Sequence, residues 1–361
     1  MRSFRSSEAS ILLDICEAFL AKKEGGEADP EVKDRRTEDI AKRVNAVWEE
    51  RGDAMRISRE DVYAAILEAR RRDLFRIAPP SHESLQAALC KRFGRKREHI
   101  EVVATQSRHP EHVGTAAADV TFDLIRKVAA QRNGGRVHLG FGGGWTTRVV
   151  AYQLALTMQT KLDVPPLGLR AVSSGFAADH AHTAPVTFFG FFEGVSRDIR
   201  EVGMFGPPYV RDREYPATIA RVGVKEAFDE KGKIDIVMTS LAAGTDPHSG
   251  LRRVAVAAEE EGPLDKLEAR RWVGDVQNLP YSATEPIQRV GHRAVTLFEL
   301  EELREMAKRR NKHVVLVSPP CPTCGRTRAK ALLPLLTQEA LAVWTHLVTD
   351  VPTARELLAL S

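Results

Sequence analysis

The chain has 361 residues, 43% of them apolar and 28% charged, with a formal net charge of +4, a balance that excludes a mainly disordered chain. At this length two domains are expected, each able to bury its own core. No apolar run approaches the ~20 residues of a membrane span, and the opening MRSFRSSEAS has no apolar stretch behind its charges, so a cytoplasmic protein without a membrane partner is the expectation.

Ile11, Leu12, Ile15, Phe19 and Leu20 recur at helical spacing and Gly25-Gly26 ends the stripe, which predicts a first helix. Residues 25–36 are polar, carry Pro30 and read as a loop. Thr37 then caps a predicted second helix with Ile40, Val44, Val47 and Trp48 on one side. Gly52 and Asp53 break it. Ser58, with Asp61 three residues on, is an N-cap signal for a third helix that holds Val62, Ile66 and Ala69 and ends near Arg72. Leu74 to Ile77 alternates like a short strand and is stopped by Pro79-Pro80. Three short helices and a strand stub make a winged helix-turn-helix pattern over residues 1–100, whose third helix would enter a DNA major groove. Across residues 70–97 nine Lys or Arg face two acids. Such a stripe neutralises phosphates or simply keeps a helix face solvated, and the run alone does not choose between these.

From residue 101 the pattern changes to short apolar runs alternating with amphipathic helices. Strands are predicted over residues 101–104, 136–139, 169–172, 234–239, 313–318 and 347–349, and helices over 115–131, 147–160, 297–308 and 328–336. This alternation predicts a mostly parallel, doubly wound α/β domain over residues 101–361, with ligands expected where strands run out into helix starts.

The most informative segment is RVHLGFGGGWTTRVV, residues 136–150: an apolar strand, a glycine-rich turn and a helix opened by two hydroxyls. Gly142, Gly143 and Gly144 let the backbone approach an anion, and Thr146 and Thr147 add donors at a helix start, which is a phosphate cradle in form. It lacks the lysine of a GxxxxGK[ST] loop and keeps no clean GxGxxG register, and a merely tight turn is the plainer alternative. Ser173, Ser174 and Gly175 follow the next strand. Asp235 opens another strand, Ser240 to Gly244 form a further small-residue turn, and Asp275 with Gln277 offers a carboxylate and an amide suited to sugar hydroxyls. Together these turns predict one shared pocket.

Other features point to no chemistry. Of four cysteines, Cys16 and Cys90 are isolated, and Cys321-Pro-Thr-Cys324 has the spacing of a zinc or redox pair. No second CxxC accompanies it and nothing brings His313 or His346 near, so the pair reads as a loop and no metal is expected. Glu259 to Glu261 read as a solvated helix end. GxSxG and HExxH are absent, and Asp179, His180 and His182 are neighbours in a loop; no catalytic residue and no cofactor is assigned.

The order of these segments resembles the SorC/DeoR-type sugar-binding transcriptional regulators, whose effector domain is similar to phosphosugar isomerases and coenzyme A transferases. The resemblance is carried by ISREDV (residues 57–62), EARRRDLF (68–75), LQAALCKRFG (85–94), the glycine-rich turn with Trp145-Thr-Thr, Ile234-Asp-Ile-Val, Val273-Gly-Asp-Val-Gln, Leu347-Val-Thr-Asp and Thr353-Ala-Arg-Glu-Leu-Leu. It implies a DNA operator and a phosphorylated sugar or related effector as partners, in a homodimer or homotetramer. It also implies a basic residue opening a late helix after a glycine, a place that Gly325 and Arg328 occupy, with arginine where lysine is usual. Glu60 and Asp61 stand where such recognition helices carry small hydroxyl residues, Ala64 replaces a basic one, and residues 45–56 make a longer turn than usual. Ser58, Arg59, Tyr63, Arg70, Arg71 and Arg72 are the candidate DNA contacts. Two other readings stand beside the regulator: a phosphosugar isomerase or transferase-like enzyme, and a sensor that has lost DNA binding and signals through protein contacts.

Overall fold

The computed structural model describes residue 15 and residues 35–50, 52, 55–71, 79–106, 110–159, 161, 163–175, 178–196, 198–257, 263–288 and 290–360. The chain divides into two compact units, residues 1–77 and 78–361.

In the first unit, helix α1 (Arg35–Glu50) buries Ile40, Val44 and Trp48, spaced four apart, together with Ile15, Ile57, Val62, Ala65 and Ala69. Val47, placed in that stripe by the sequence, faces outward. Thr37 lies inside the helix with its side chain buried, so it is not the cap. Because α1 continues to Glu50, the connection to the next helix is shorter than the turn expected over residues 45–56. The Asn45 side chain fastens it, accepting from Ile57 N–H at 2.8 Å and donating to Ile57 C=O at 2.9 Å. Helix α2 (Arg59–Arg71) starts at the expected cap: Ser58 donates from both its amide and its hydroxyl to Asp61 Oδ2 at 2.9 Å, and its hydroxyl accepts from Asp61 N–H. Ala64 is buried in this small core rather than offered to a partner. The first predicted helix, apart from the helical and buried Ile15, lies outside the described residues, as do Cys16, the strand stub at residues 74–77 and the Glu259 to Glu261 cluster.

The second unit runs α3 (Glu83–Phe93), β1 (Ile100–Val103), α4 (Glu111–Gln131), β2 (Val137–Phe141), α5 (Trp145–Gln159), β3 (Leu167–Ala171), β4 (Ile199–Val202), β5 (Tyr209–Arg211), α6 (Tyr215–Ile219), α7 (Lys225–Glu230) and β6 (Ile236–Ala243). It continues through α8 (Gly250–Ala257), α9 (Pro263–Ala269), β7 (Gly274–Val276), β8 (Leu279–Tyr281), β9 (His292–Ala294), α10 (Leu300–Lys308), β10 (His313–Ser318), α11 (Ala329–Thr337), β11 (His346–Asp350) and α12 (Val351–Ala359). The sheet order is β1-β11-β10-β6-β2-β3-β4, parallel throughout, with the β7–β8 hairpin laid antiparallel on the tail of β6. All residues of β3 and β10 are buried, as strands covered by helices on both faces must be. The predicted mostly parallel α/β architecture is therefore the observed one.

Two differences have clear causes. Strand β6 runs on through Ser240, which the sequence reads as a turn, because Leu241, Ala242 and Ala243 find new ladder partners in Val276, Asp275 and Gly274. Helix α3, grouped by sequence with the N-terminal domain, belongs to the second unit and packs on α12. Several cations of the basic run are thereby engaged in the fold. Arg92 donates to Leu358 C=O at 2.8 Å, Arg95 stacks 4.8 Å over the Trp344 ring, and Arg97 pairs with Glu83 at 2.7 Å. Among the described residues no helix is long and apolar enough to cross a membrane.

Candidate functional site

A cleft of about 840 Å³ opens at the carboxyl end of the sheet, between the loops that leave β2, β6 and β10 and the tip of the β7–β8 hairpin. This is where a parallel α/β sheet presents helix starts and unpaired loop backbone to a ligand. Of the residues singled out by sequence, Gly143, Gly144, Thr146, His180, Ser240, Asp275, Gln277, Cys321 and Arg328 line it.

The glycine-rich turn is built differently from a cradle of free amides. Gly142 N–H donates to Met238 C=O at 2.9 Å, Gly143 N–H to Ser173 Oγ at 3.3 Å, and Gly144 N–H to Thr183 C=O at 3.0 Å. The donors left for a ligand are those of the first turn of α5, Trp145 to Thr147, which no helix satisfies internally. The glycines act through space: a Cβ on Gly142 would sit 3.2 Å from Thr239 Oγ1, and Gly144 has φ +114°, a conformation that L side chains rarely adopt. Ser173, Ser174 and Gly175 do not line the cleft. Ser173 is fully buried and supports the turn, Ser174 is buried behind it, and Gly175 is held by contact with Ala184, where a Cβ would come within 2.7 Å. Thr147 is likewise buried, with its hydroxyl unpartnered.

Asp275 is 3% exposed and sits on the cleft side of the hairpin. Its carboxylate accepts from Ser249 Oγ at 3.3 Å and from Asn278 N–H at 3.2 Å. Burial pushes its carboxyl up to about 7, against the lowering effect of those two bonds and of the Arg328 charge. The hairpin tip, Gln277-Asn278, takes φ of 55° and 60°, the left-handed pair that a two-residue turn between twisted strands requires. That turn aims Gln277 at the cleft, buried, with both its amide nitrogen and oxygen lacking a hydrogen-bond partner; Arg328, at the start of α11, keeps its Nε buried and equally unpartnered. Arg253 adds a second guanidinium to the lining.

Asp235 is the misplaced candidate. It precedes β6 at the amino end of the sheet, opposite the cleft, fully buried, and its carboxylate is saturated by Arg132 at 2.7 and 2.5 Å, Lys312 at 3.1 Å and His138 N–H at 2.9 Å. It braces strand starts and reaches no ligand site. Asp246, His248, Ser249 and Arg253 line the cleft just beyond the turn ending at Gly244, and the polar run DPHSG (residues 246–250) before a helix was the available sign.

The CxxC pair is not a bare loop. Asp246 and His248 lie beside Cys321 and Cys324, with the ligand atoms of all these residues within 4.8 Å of one another. His313 and His346 are at the opposite end of the sheet, as first residues of β10 and β11.

In the N-terminal unit Ser58 and Tyr63 are exposed, Tyr63 by 47%, and Arg59 is half-buried at the start of α2. Arg70 and Arg71 fall at the end of α2, where only the backbone is described, and Arg72 lies outside the described residues.

No family model and no curated protein matches the sequence. Solved structures match the fold. The full-length sorbitol operon regulator SorC from Klebsiella pneumoniae is similar over 98% of this chain and 100% of its own, at 14% identity and a TM-score of 0.56. A DeoR family transcriptional regulator from Listeria monocytogenes covers 76% of this chain and 98% of its own at 17% identity and TM-score 0.53, and a transcriptional regulator from Streptococcus pneumoniae covers 76% and 96% at 13% identity and TM-score 0.55. The α/β fold expected from the resemblance to SorC/DeoR-type regulators is thus the fold found.

Proposed function

We propose that the chain is a ligand-responsive, DNA-binding transcriptional regulator whose cleft takes a phosphorylated sugar or related small molecule. The observation that carries this reading is a set of buried polar atoms without partners. Arg328 and Gln277, whose Nε and amide atoms are buried without partners, line the same cleft as the first turn of α5 and Asp275. A phosphate between the guanidinium and the helix start, with hydroxyls on Gln277 and Asp275, would satisfy them, and buried polar groups are normally satisfied. The fold's likeness to a sorbitol operon regulator supports the same assignment.

In this reading residues 1–77 form the helix-turn-helix, with Ser58, Arg59, Tyr63, Arg70, Arg71 and Arg72 on the DNA side, and the chain works in the cytoplasm as a homodimer or homotetramer on palindromic half-sites. The effector acts by binding one arrangement of the assembly better than another. The protein is then a sensor and not an enzyme. An electrophoretic shift assay at low salt on the gene's own upstream region, with and without a panel of sugar phosphates, tests both DNA binding and its control by the effector. Retention altered by at least one sugar phosphate is expected, and lost when Arg70 and Arg71 are both replaced by Glu. No retention, or turnover of a sugar phosphate abolished by Asp275→Asn, would overturn the reading.

A further inference from the structure

Strands β6 and β10 are paired neighbours in the parallel sheet, with Val317 opposite Ser240, so the loops that follow them emerge side by side. The β6 loop carries Asp246-Pro-His248 and the β10 loop carries Cys321-Pro-Thr-Cys324, and this adjacency brings together ligands that lie 73 to 78 positions apart in the sequence. One oxygen, one nitrogen and two sulfur donors lie within 4.8 Å of one another. A tetrahedral ion with bonds of ~2.0–2.3 Å spaces its ligands by roughly 3.3–3.8 Å, so rotation of side chains alone closes the set.

Each half of the cluster is already shaped. Gly325, at φ +71°, closes the cysteine turn by donating to Cys321 C=O at 2.8 Å, and the backbone amides of Thr323 and Cys324 point to the Cys321 sulfur, which orients the turn around it. Asp246 Oδ1 accepts from His248 N–H at 2.9 Å, which fixes the carboxylate and leaves its other oxygen for a ligand. Cys321 and Asp246 are buried, whereas Cys324 and His248 are exposed, so an ion could enter from solvent and finish against buried donors.

We propose that Cys321, Cys324, His248 and Asp246 bind one zinc ion. Two thiolates, an imidazole and a carboxylate make a closed tetrahedral set, the mark of a structural zinc and not of a catalytic one with an open position. The ion clasps the β6 loop to the β10 loop. Asp246, His248 and Cys321 all line the cleft, so the clasp fixes two of its walls.

The full-length chain, purified under reducing conditions, incubated with zinc and desalted, should retain one zinc per chain by elemental analysis. The cobalt-substituted chain should show the visible bands of a tetrahedral site and a thiolate-to-cobalt charge-transfer band. Zinc should raise the melting temperature by roughly 5 °C or more over the chelated protein. Cys321→Ser with Cys324→Ser should bring the zinc content to near zero, and His248→Ala should shift the cobalt spectrum of whatever ion remains. Less than about one ion in ten chains retained by the wild type, a cobalt spectrum without thiolate bands, or a zinc content unchanged by the double serine variant would each overturn the assignment. So would a Cys321–Cys324 disulfide found in chain isolated without air. The wild-type measurements decide the matter even if a variant fails to fold, and none of them depends on the effector assigned to the cleft.

Discussion

The two ends of one parallel sheet each bury an aspartate, and they treat it in opposite ways. At the amino end Asp235 is met by two cations and a backbone amide, so every strong acceptor site is engaged by the chain itself. At the carboxyl end Asp275 is just as buried but receives only a hydroxyl and one amide, beside the unpartnered groups of Gln277 and Arg328. Full satisfaction marks a brace; partial satisfaction in a cleft marks groups held ready for something else. Burial alone does not separate these roles, but the inventory of partners does.

The largest effect expected from this difference is on stability at the amino end. Asp235→Ala removes the shared counter-charge of Arg132 and Lys312 and leaves two cations facing each other, a defect that costs about 3–5 kcal/mol for a buried pair. The lower part of that range applies, because Arg132 keeps part of its side chain in water. Urea unfolding measures the loss, while the ligand affinity of the folded fraction should stay as in the wild type. A loss below about 1 kcal/mol would mean that the network is not a brace.

A second, intermediate effect comes from the histidines of the same edge. His346 and His313 open β11 and β10, His99 precedes β1 and His138 lies at the start of β2; His346 touches both His99 and His313 with ring centroids 5.5 Å apart. Burial holds His138 and His313 down to about 4 and His346 down to about 3, with the charges of Arg170 and Lys127 adding to the effect. These groups stay neutral when folded and gain protons when unfolded, from about pH 6.5 downward. Stability is therefore lost as pH falls from about 6.5 towards 4, by up to about 1.4 kcal/mol per pH unit for each histidine fully coupled to unfolding. Urea midpoints across this window should fall for the wild type and less steeply for His313→Gln. An identical slope in the variant would remove His313 from the row.

How much of this was legible in the sequence follows the same division. The strands and helices of the sheet were readable because apolar runs and helical stripes are local, and β10 falls where the pattern places it, His313–Ser318. The short β4, half exposed, and the β7–β8 hairpin gave no such pattern, because pairing and not composition makes them strands. Gly143, Gly144, Thr146 and Asp275 are readable because strand ends and helix starts carry recognisable small and polar residues, and Arg328 only through the resemblance to the SorC/DeoR-type regulators. Asp235 was misread since a carboxylate beside a strand looks the same at either end of it; only the sheet's direction and the distant Arg132 and Lys312 show which end it serves. The partners of Cys321 and Cys324 were invisible for a related reason, as β6 and β10 become neighbours only through the crossover order of the sheet.

The smallest effect on stability, and the sharpest on binding, belongs to Asp275→Asn. With its carboxyl pushed up to about 7 by burial, Asp275 holds a proton in the folded chain between about pH 4 and 7 that it has lost in the unfolded chain. Its contribution to stability therefore falls as pH rises through that window, opposite in sign to the histidines. Asn is isosteric and neutral, can still accept from Asn278 N–H and can still bond Ser249, so the variant should be within about 1 kcal/mol of the wild type at pH 7 and lack this term. Above pH 7, where Asp275 is ionised, sugar phosphates should bind the variant roughly tenfold more weakly, read as a reduced thermal shift, because a charge-assisted bond to a hydroxyl is replaced by a neutral one. A stability loss as large as that of Asp235→Ala, with unchanged ligand affinity, would make both aspartates braces and erase the distinction between the two ends of the sheet.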